Sequence, residues 1–244
     1  MGASGTMSLV ILASDALGPL LFALFIALVI GSAIYGYIQA QKRREAMAAL
    51  ARSLGLGFNP AKDWDMEDRF TGFACLREGS QRYAYNTLHG TIRQREVCAF
   101  DYHYETYSHD SKGRRQTHHH RFSAVILDAG LPLKPLFIRP EGLLDKVTEF
   151  FGFDDIDFES SEFSRKFYVK SPDRQWAFDV IHQATMEFLL RRPRFSLEFQ
   201  GRQVIAYHSS TFAVEEFPAA IAVIEGVLER LPEYLLRELK GVDQ

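Results

Sequence analysis

The chain has 244 residues, 47% of them hydrophobic and 24% charged, with a net charge of −3 at pH 7. That balance excludes a disordered polyelectrolyte, and the lack of a basic excess argues against nucleic acid as a partner, because phosphate binding needs a positively charged surface. All 28 Lys and Arg lie at or beyond Lys42, and Asp15 is the only charged side chain before it.

Residues 16–41 therefore carry no charge, and as a helix they would extend roughly 39 Å, enough to cross a hydrocarbon layer of about 30 Å. The densest stretch, LLFALFIALVIGSAIYGYI, ends with Tyr35 and Tyr37 and is followed at once by Lys42, Arg43 and Arg44. Aromatic and then basic residues mark a membrane interface, and the basic side is the cytoplasmic one. A cleaved signal peptide fits less well, since its apolar region is shorter and is preceded by positive charge. The expected layout is a short extracytoplasmic tail at 1–15, a single transmembrane helix at 16–41, and the remaining chain in the cytoplasm at an inner membrane. Lys42, Arg43 and Arg44 would also meet anionic lipid headgroups.

Residues 42–57 read as a juxtamembrane helix with Met47, Leu50 and Leu54 on one side, stopped by Gly55 and Gly57. From 58 to 244 the pattern is that of an α+β domain, either one body or two packed halves divided near 152–160. RYAYNTLHGT, REVCAFDYHYET, QTHHHRFSAVILDA and KPLFIRP have strand composition and are separated by turn-rich breaks, as in an antiparallel meander. EGLLDKVTEFFG after Pro140 has helical spacing, FSRKFYVKS reads as a strand, and Ser171 would cap a helix carrying Trp176, Val180, Ile181, Ala184 and Phe188. RFSLEFQ and QVIAYHS suggest a hairpin through Gly201 and Arg202. Pro218 would open a closing helix, with Ala222, Ile224, Val227, Leu228, Leu231 and Leu235 inward and Pro232 kinking or dividing it.

The most unusual run is His118, His119 and His120, which faces His103 and His109 across the break SHDSKGRR. Pairing of Tyr107 with Gln116 would set His103 opposite His120 and Glu105 opposite His118, with Asp101 on the same face. His103, His118 and His120 would then form a site for a divalent transition metal. A slip of one residue would instead put His119 and Arg121 on that face, and the plainer reading is a solvated polar surface. DDIDFE alternates acids with apolar residues but lacks the glycine of a calcium loop. Cys75 and Cys98 have no metal or redox spacing and read as buried thiols. GxSxG, HExxH, P-loop and dinucleotide-binding signatures are absent.

FDYHYET, FIRPEGLLDK, DIDF and EFSRKF together resemble an uncharacterised family of bacterial single-pass membrane-anchored proteins. The resemblance implies an inner-membrane location and a cytoplasmic domain, and it brings no activity with it. The sequence thus points to a non-enzymatic binding or scaffolding module at the membrane, without cofactor, with the bilayer and a protein as partners. The alternative is a metal-dependent enzyme or metal sensor built on the histidine-rich hairpin.

Overall fold

The computed structural model describes residues 4–142 and 155–241. The chain divides into two compact units, residues 1–46 and 47–244.

In the first unit the chain is helical throughout its described part, within α1 (Ser4–Leu54). Its portion from Pro19 onward is long and apolar enough to cross a membrane. Leu20, Phe22, Phe25 and Leu28 stand 61–67% exposed, an arrangement that water would strongly disfavour and that hydrocarbon would satisfy.

The second unit opens on the last turns of α1, where Met47 and Ala51 are buried. Gly55, at φ +70°, ends the helix, and the Leu56 N–H returns to the Ala51 carbonyl. Among the described residues six strands form one antiparallel sheet: β1 (Gly57–Asn59), β2 (Ser80–Ile92), β3 (Arg95–His109), β4 (Arg115–Pro140), β5 (Phe167–Lys170) and β6 (Ser196–Tyr207). A one-turn helix α2 (Met66–Arg69) and a 3-10 turn at Ala74–Leu76 lie between β1 and β2. This is the α+β architecture expected, reached with fewer and longer strands.

β4 organises the sheet. KPLFIRP is its second half rather than a separate strand: the chain turns through Gly130 at φ +70° and continues. Along one edge β4 pairs first with β3 and then with β5, while β6 runs along the other. The hairpin expected at Gly201 is absent for the same reason, because β6 stays paired to β4 on both sides of that glycine, from Leu197 opposite Ile138 to Tyr207 opposite Ala124. Gly201, at φ +58°, lets β6 follow the irregularity in β4.

Each sheet face buries a core. The larger one gathers Val97, Val125, Leu127, Leu136, Phe199 and Val204 with Trp176 of α4 (Arg174–Val180), Leu189 of α5 (Gln183–Leu190), Ile224 of α6 (Glu216–Leu228) and Leu235 of α7 (Glu233–Gly241). The smaller joins Phe100, Tyr102, Phe122, Ile126 and Tyr207 to Met66, Phe73 and Leu76. Gly226 brings α6 close to α5, since a Cβ there would run into the Phe188 ring.

Several helix readings shift. Asp173, not Ser171, caps α4, its carboxylate accepting from the Trp176 N–H at 3.0 Å; the Ser171 hydroxyl donates instead to the Pro135 carbonyl. The expected single helix breaks at Ile181 and His182, which turns the stripe so that Thr185 is buried and Ala184 exposed. Pro232 divides the closing helix, and Ala222 faces outward. FSRKFYVKS splits into a short helix α3 (Ser161–Ser164) and β5. In DDIDFE, Ile156 and Phe158 are buried as the alternation required, and the Ile156 N–H bonds to the Val169 carbonyl beside β5. The helix read in EGLLDKVTEFFG lies almost wholly outside the described residues.

Candidate functional site

The β3–β4 turn decides where the histidines go. Asp110 accepts the Gly113 N–H at its carbonyl and donates its own N–H to the Arg114 carbonyl, with Gly113 at φ +74°. This is a three-residue loop closed by a β-turn from Asp110 to Gly113 and a left-handed glycine. The Asp110 carboxylate also accepts from the N–H groups of Arg114 and Lys112, which holds its pKa below the ordinary carboxylate range. A three-residue loop centres the hairpin on Lys112, so Tyr107 pairs with Thr117, and His103, Glu105 and Thr106 pair with Arg121, His119 and His118.

The register expected from Tyr107 and Gln116 is therefore off by one residue, and His103, His118 and His120 do not come together. His118 and His120 occupy the opposite face from His103. There His118 Nε2 bonds the Ser108 hydroxyl at 2.7 Å, while His120 Nε2 bonds the Thr106 hydroxyl at 2.8 Å and its ring stacks on Tyr104. The face of His103 receives His119 instead. His103 Nε2 stands 3.2 Å from His119 Nδ1, which is 3.4 Å from Glu105 Oε1. One ligand atom from each of the three residues lies within 4.8 Å of the others, the side chains running from buried (His103) through half-buried (Glu105) to exposed (His119).

Two irregularities in β2 serve this face. A register shift between Ser80 and Tyr83 holds Gln81 at φ +52° and sets its carbonyl 3.3 Å from His103 Nδ1. Such a conformation is costly for a side chain other than Gly or Asn. A second shift beyond Tyr85 brings Asn86, at φ +51°, against Asp101. The fully buried Asp101 carboxylate accepts from Asn86 Nδ2 at 3.0 Å and from the Ser123 hydroxyl at 2.6 Å. Tyr83 stacks on His103 at 4.6 Å, and Lys62 Nζ lies 4.1 Å from the Tyr83 ring centroid. Burial lowers the His103 pKa against the opposing pull of the Gln81 carbonyl.

Elsewhere the chemistry is plainer. Lys42 and Arg44 are exposed on α1 and Arg43 is half-buried. Cys75 and Cys98 are not joined in a disulfide, and burial pushes Cys98 up to about 12, which keeps it protonated. A groove of about 620 Å³ is bordered by Arg93, Arg95, Arg202 and Lys240. Its charge is mixed, because Glu96, Asp128 and Glu229 line it as well. Glu198, 1% exposed and opposite Phe137, is pushed up to about 8 by burial.

The class defined by these features is an α+β domain that follows an N-terminal helix of membrane-spanning length and apolarity. No family model matches the chain, and no curated protein sequence does. The fold is similar to that in the crystal structure of the mycobacterial trehalose monomycolate transport factor A, TtfA, with a TM-score of 0.55 over 78% of this chain and 96% of that one. The sequences are 13% identical, so the likeness is one of fold.

Proposed function

We propose that the protein is a membrane-tethered, non-enzymatic binding module whose C-terminal domain lies in the cytoplasm, on the inner face of a bacterial plasma membrane. The observation that carries this reading is the exposed apolar run of α1, from Leu20 to Ile38, in the same helix that carries the exposed Lys42 and Arg44. Apolar residues of that length need hydrocarbon, and the basic end belongs on the cytoplasmic side. Anionic headgroups are the natural counter-charge for Lys42, Arg43 and Arg44.

The partner is a protein at the same membrane. The fold similarity is to a protein described as a transport factor, which favours a component of a transport assembly as the first partner class to seek. Two experiments test the reading. A reporter that is active only outside the cytoplasm, fused after Gln244, should stay silent, and activity would overturn the orientation. Purification from native membranes should retain a membrane protein in fixed proportion, and recovery of the chain alone would overturn the binding role.

A further inference from the structure

We propose that His103 Nε2, Glu105 Oε1 and His119 Nδ1 form a binding site for a zinc-class divalent transition metal, open to solvent on the side of His119. Two imidazole nitrogens and one carboxylate oxygen make a donor set suited to such ions. The spacing fits as well. Ligand atoms around a tetrahedral ion with bonds of about 2.0–2.1 Å lie about 3.3–3.4 Å apart, and the two separations here are 3.2 and 3.4 Å.

The supporting contacts are those a metal site needs. His103 Nδ1 is directed at the Gln81 carbonyl, so the proton belongs on Nδ1 and the lone pair on Nε2, which faces His119 Nδ1 and lies within 4.8 Å of a Glu105 oxygen. Glu105 is held in the same manner, since its Oε2 accepts from the Tyr107 hydroxyl at 3.0 Å, and that hydroxyl accepts from Ser80. Oε1 is left to face the two rings. The strained backbone at Gln81 has its physical reason here, because it supplies the carbonyl that orients a ligand. Arg121, across the pair from His103, adds a positive charge to the same face, and the Glu105 carboxylate is the compensating anion. Three protein ligands with the third exposed leave a coordination position for water or an external donor, as in exchangeable rather than closed structural sites.

The test uses the full chain in detergent, purified without a histidine tag and titrated with Zn(II). One equivalent should bind at micromolar metal. That equivalent should be lost in His119→Ala and Glu105→Gln, both of which change partly exposed side chains, and kept in His118→Ala and His120→Ala. Tyr107→Phe, which removes only the hydroxyl that orients Glu105, should weaken binding by about 10-fold. Co(II) in place of Zn(II) should give the intense visible bands of a four-coordinate ion, lost again in His119→Ala. Absence of a bound equivalent, or an equivalent that survives His119→Ala but not His118→Ala or His120→Ala, would overturn the site. Loss of binding in all four variants with unchanged far-ultraviolet circular dichroism would also overturn it, by making the ion a ligand of the whole histidine run.

Discussion

The two halves of the β3–β4 pair follow the same ladder but differ in what holds them. In the inner half, from Val97 to Tyr102 and from Phe122 to Leu127, both faces are buried, and each residue has one face on which it can sit. In the outer half, from His103 to His109 and from Arg115 to Arg121, most side chains are polar and exposed on both faces. Burial fixes register where a slip would unmake close packing on both faces and part Asp101 from Asn86 and Ser123. It has little to say where both faces are wet, so the outer half inherits its pairing from the core at one end and from the turn at the other.

If the inner half carries the stability, Phe100→Ala should have the largest effect, a loss of about 3–5 kcal/mol in chemical denaturation, because it empties a fully buried site against Tyr102. Tyr107→Ala in the outer half should stay within about 0.5 kcal/mol, and equal losses would break the comparison.

Glu198 tests the same buried sheet from β6. Its pKa is about 8 in the fold against an ordinary 4.5, so between these values the folded chain keeps a proton that the unfolded chain releases. Stability therefore falls as pH rises from about 4.5 to 8. At pH 7 the cost is about 3 kcal/mol, at about 1.4 kcal/mol per unit. Glu198→Gln should recover most of this at pH 7–8 and change little near pH 4.5, as read from denaturation midpoints at the two pH values. A pH-independent difference would show that burial of the charge is not the cause.

Smaller effects belong to the turn. Gly113→Ala puts a side chain on a backbone at φ +74° with open space around it, so the strain is conformational and about 1 kcal/mol. Amide exchange should quicken about 5-fold in the outer half and remain unchanged in the inner half; faster exchange throughout would mean that the two halves open together. A cysteine pair at Glu105 and His119, directly opposite one another, should have Cβ atoms about 4.5–5.5 Å apart and crosslink readily with little change in stability. Cysteines at His103 and His120 point to opposite faces and should not crosslink. The reverse result would restore the other register and remove the metal site.

How much of the site was legible depends on which residue is considered. Asp101, His103 and Glu105 could be placed on one face of β3 from their spacing of two. His119 could not, since His118, His119 and His120 are chemically equivalent until the register is known. One signal for it lay in the loop: Asp110 followed three residues later by Gly113 is the pattern of a type I turn closed by a left-handed glycine, and it centres the hairpin on Lys112. Gln81 gave no signal, because nothing in its side chain favours φ +52°; only the pairing of β2 with β3 puts its carbonyl beside His103.

The sequence by itself determined the features that depend on composition over a short window. These are an apolar helix of membrane-spanning length ended by basic residues, strands marked by alternation, and an interruption of the closing helix at Pro232, as a kink or a division. Tertiary structure decided what depends on partners far along the chain. RFSLEFQ and QVIAYHS looked like a hairpin because Gly201 suits a turn, yet they form one strand, since β4 offers a continuous edge on both sides of that glycine. His119 joined His103 and Glu105 by the same logic. A hydrogen-bonded ladder transmits its register from the buried half to the exposed one, and no local property of three consecutive histidines could have said which of them it would bring round.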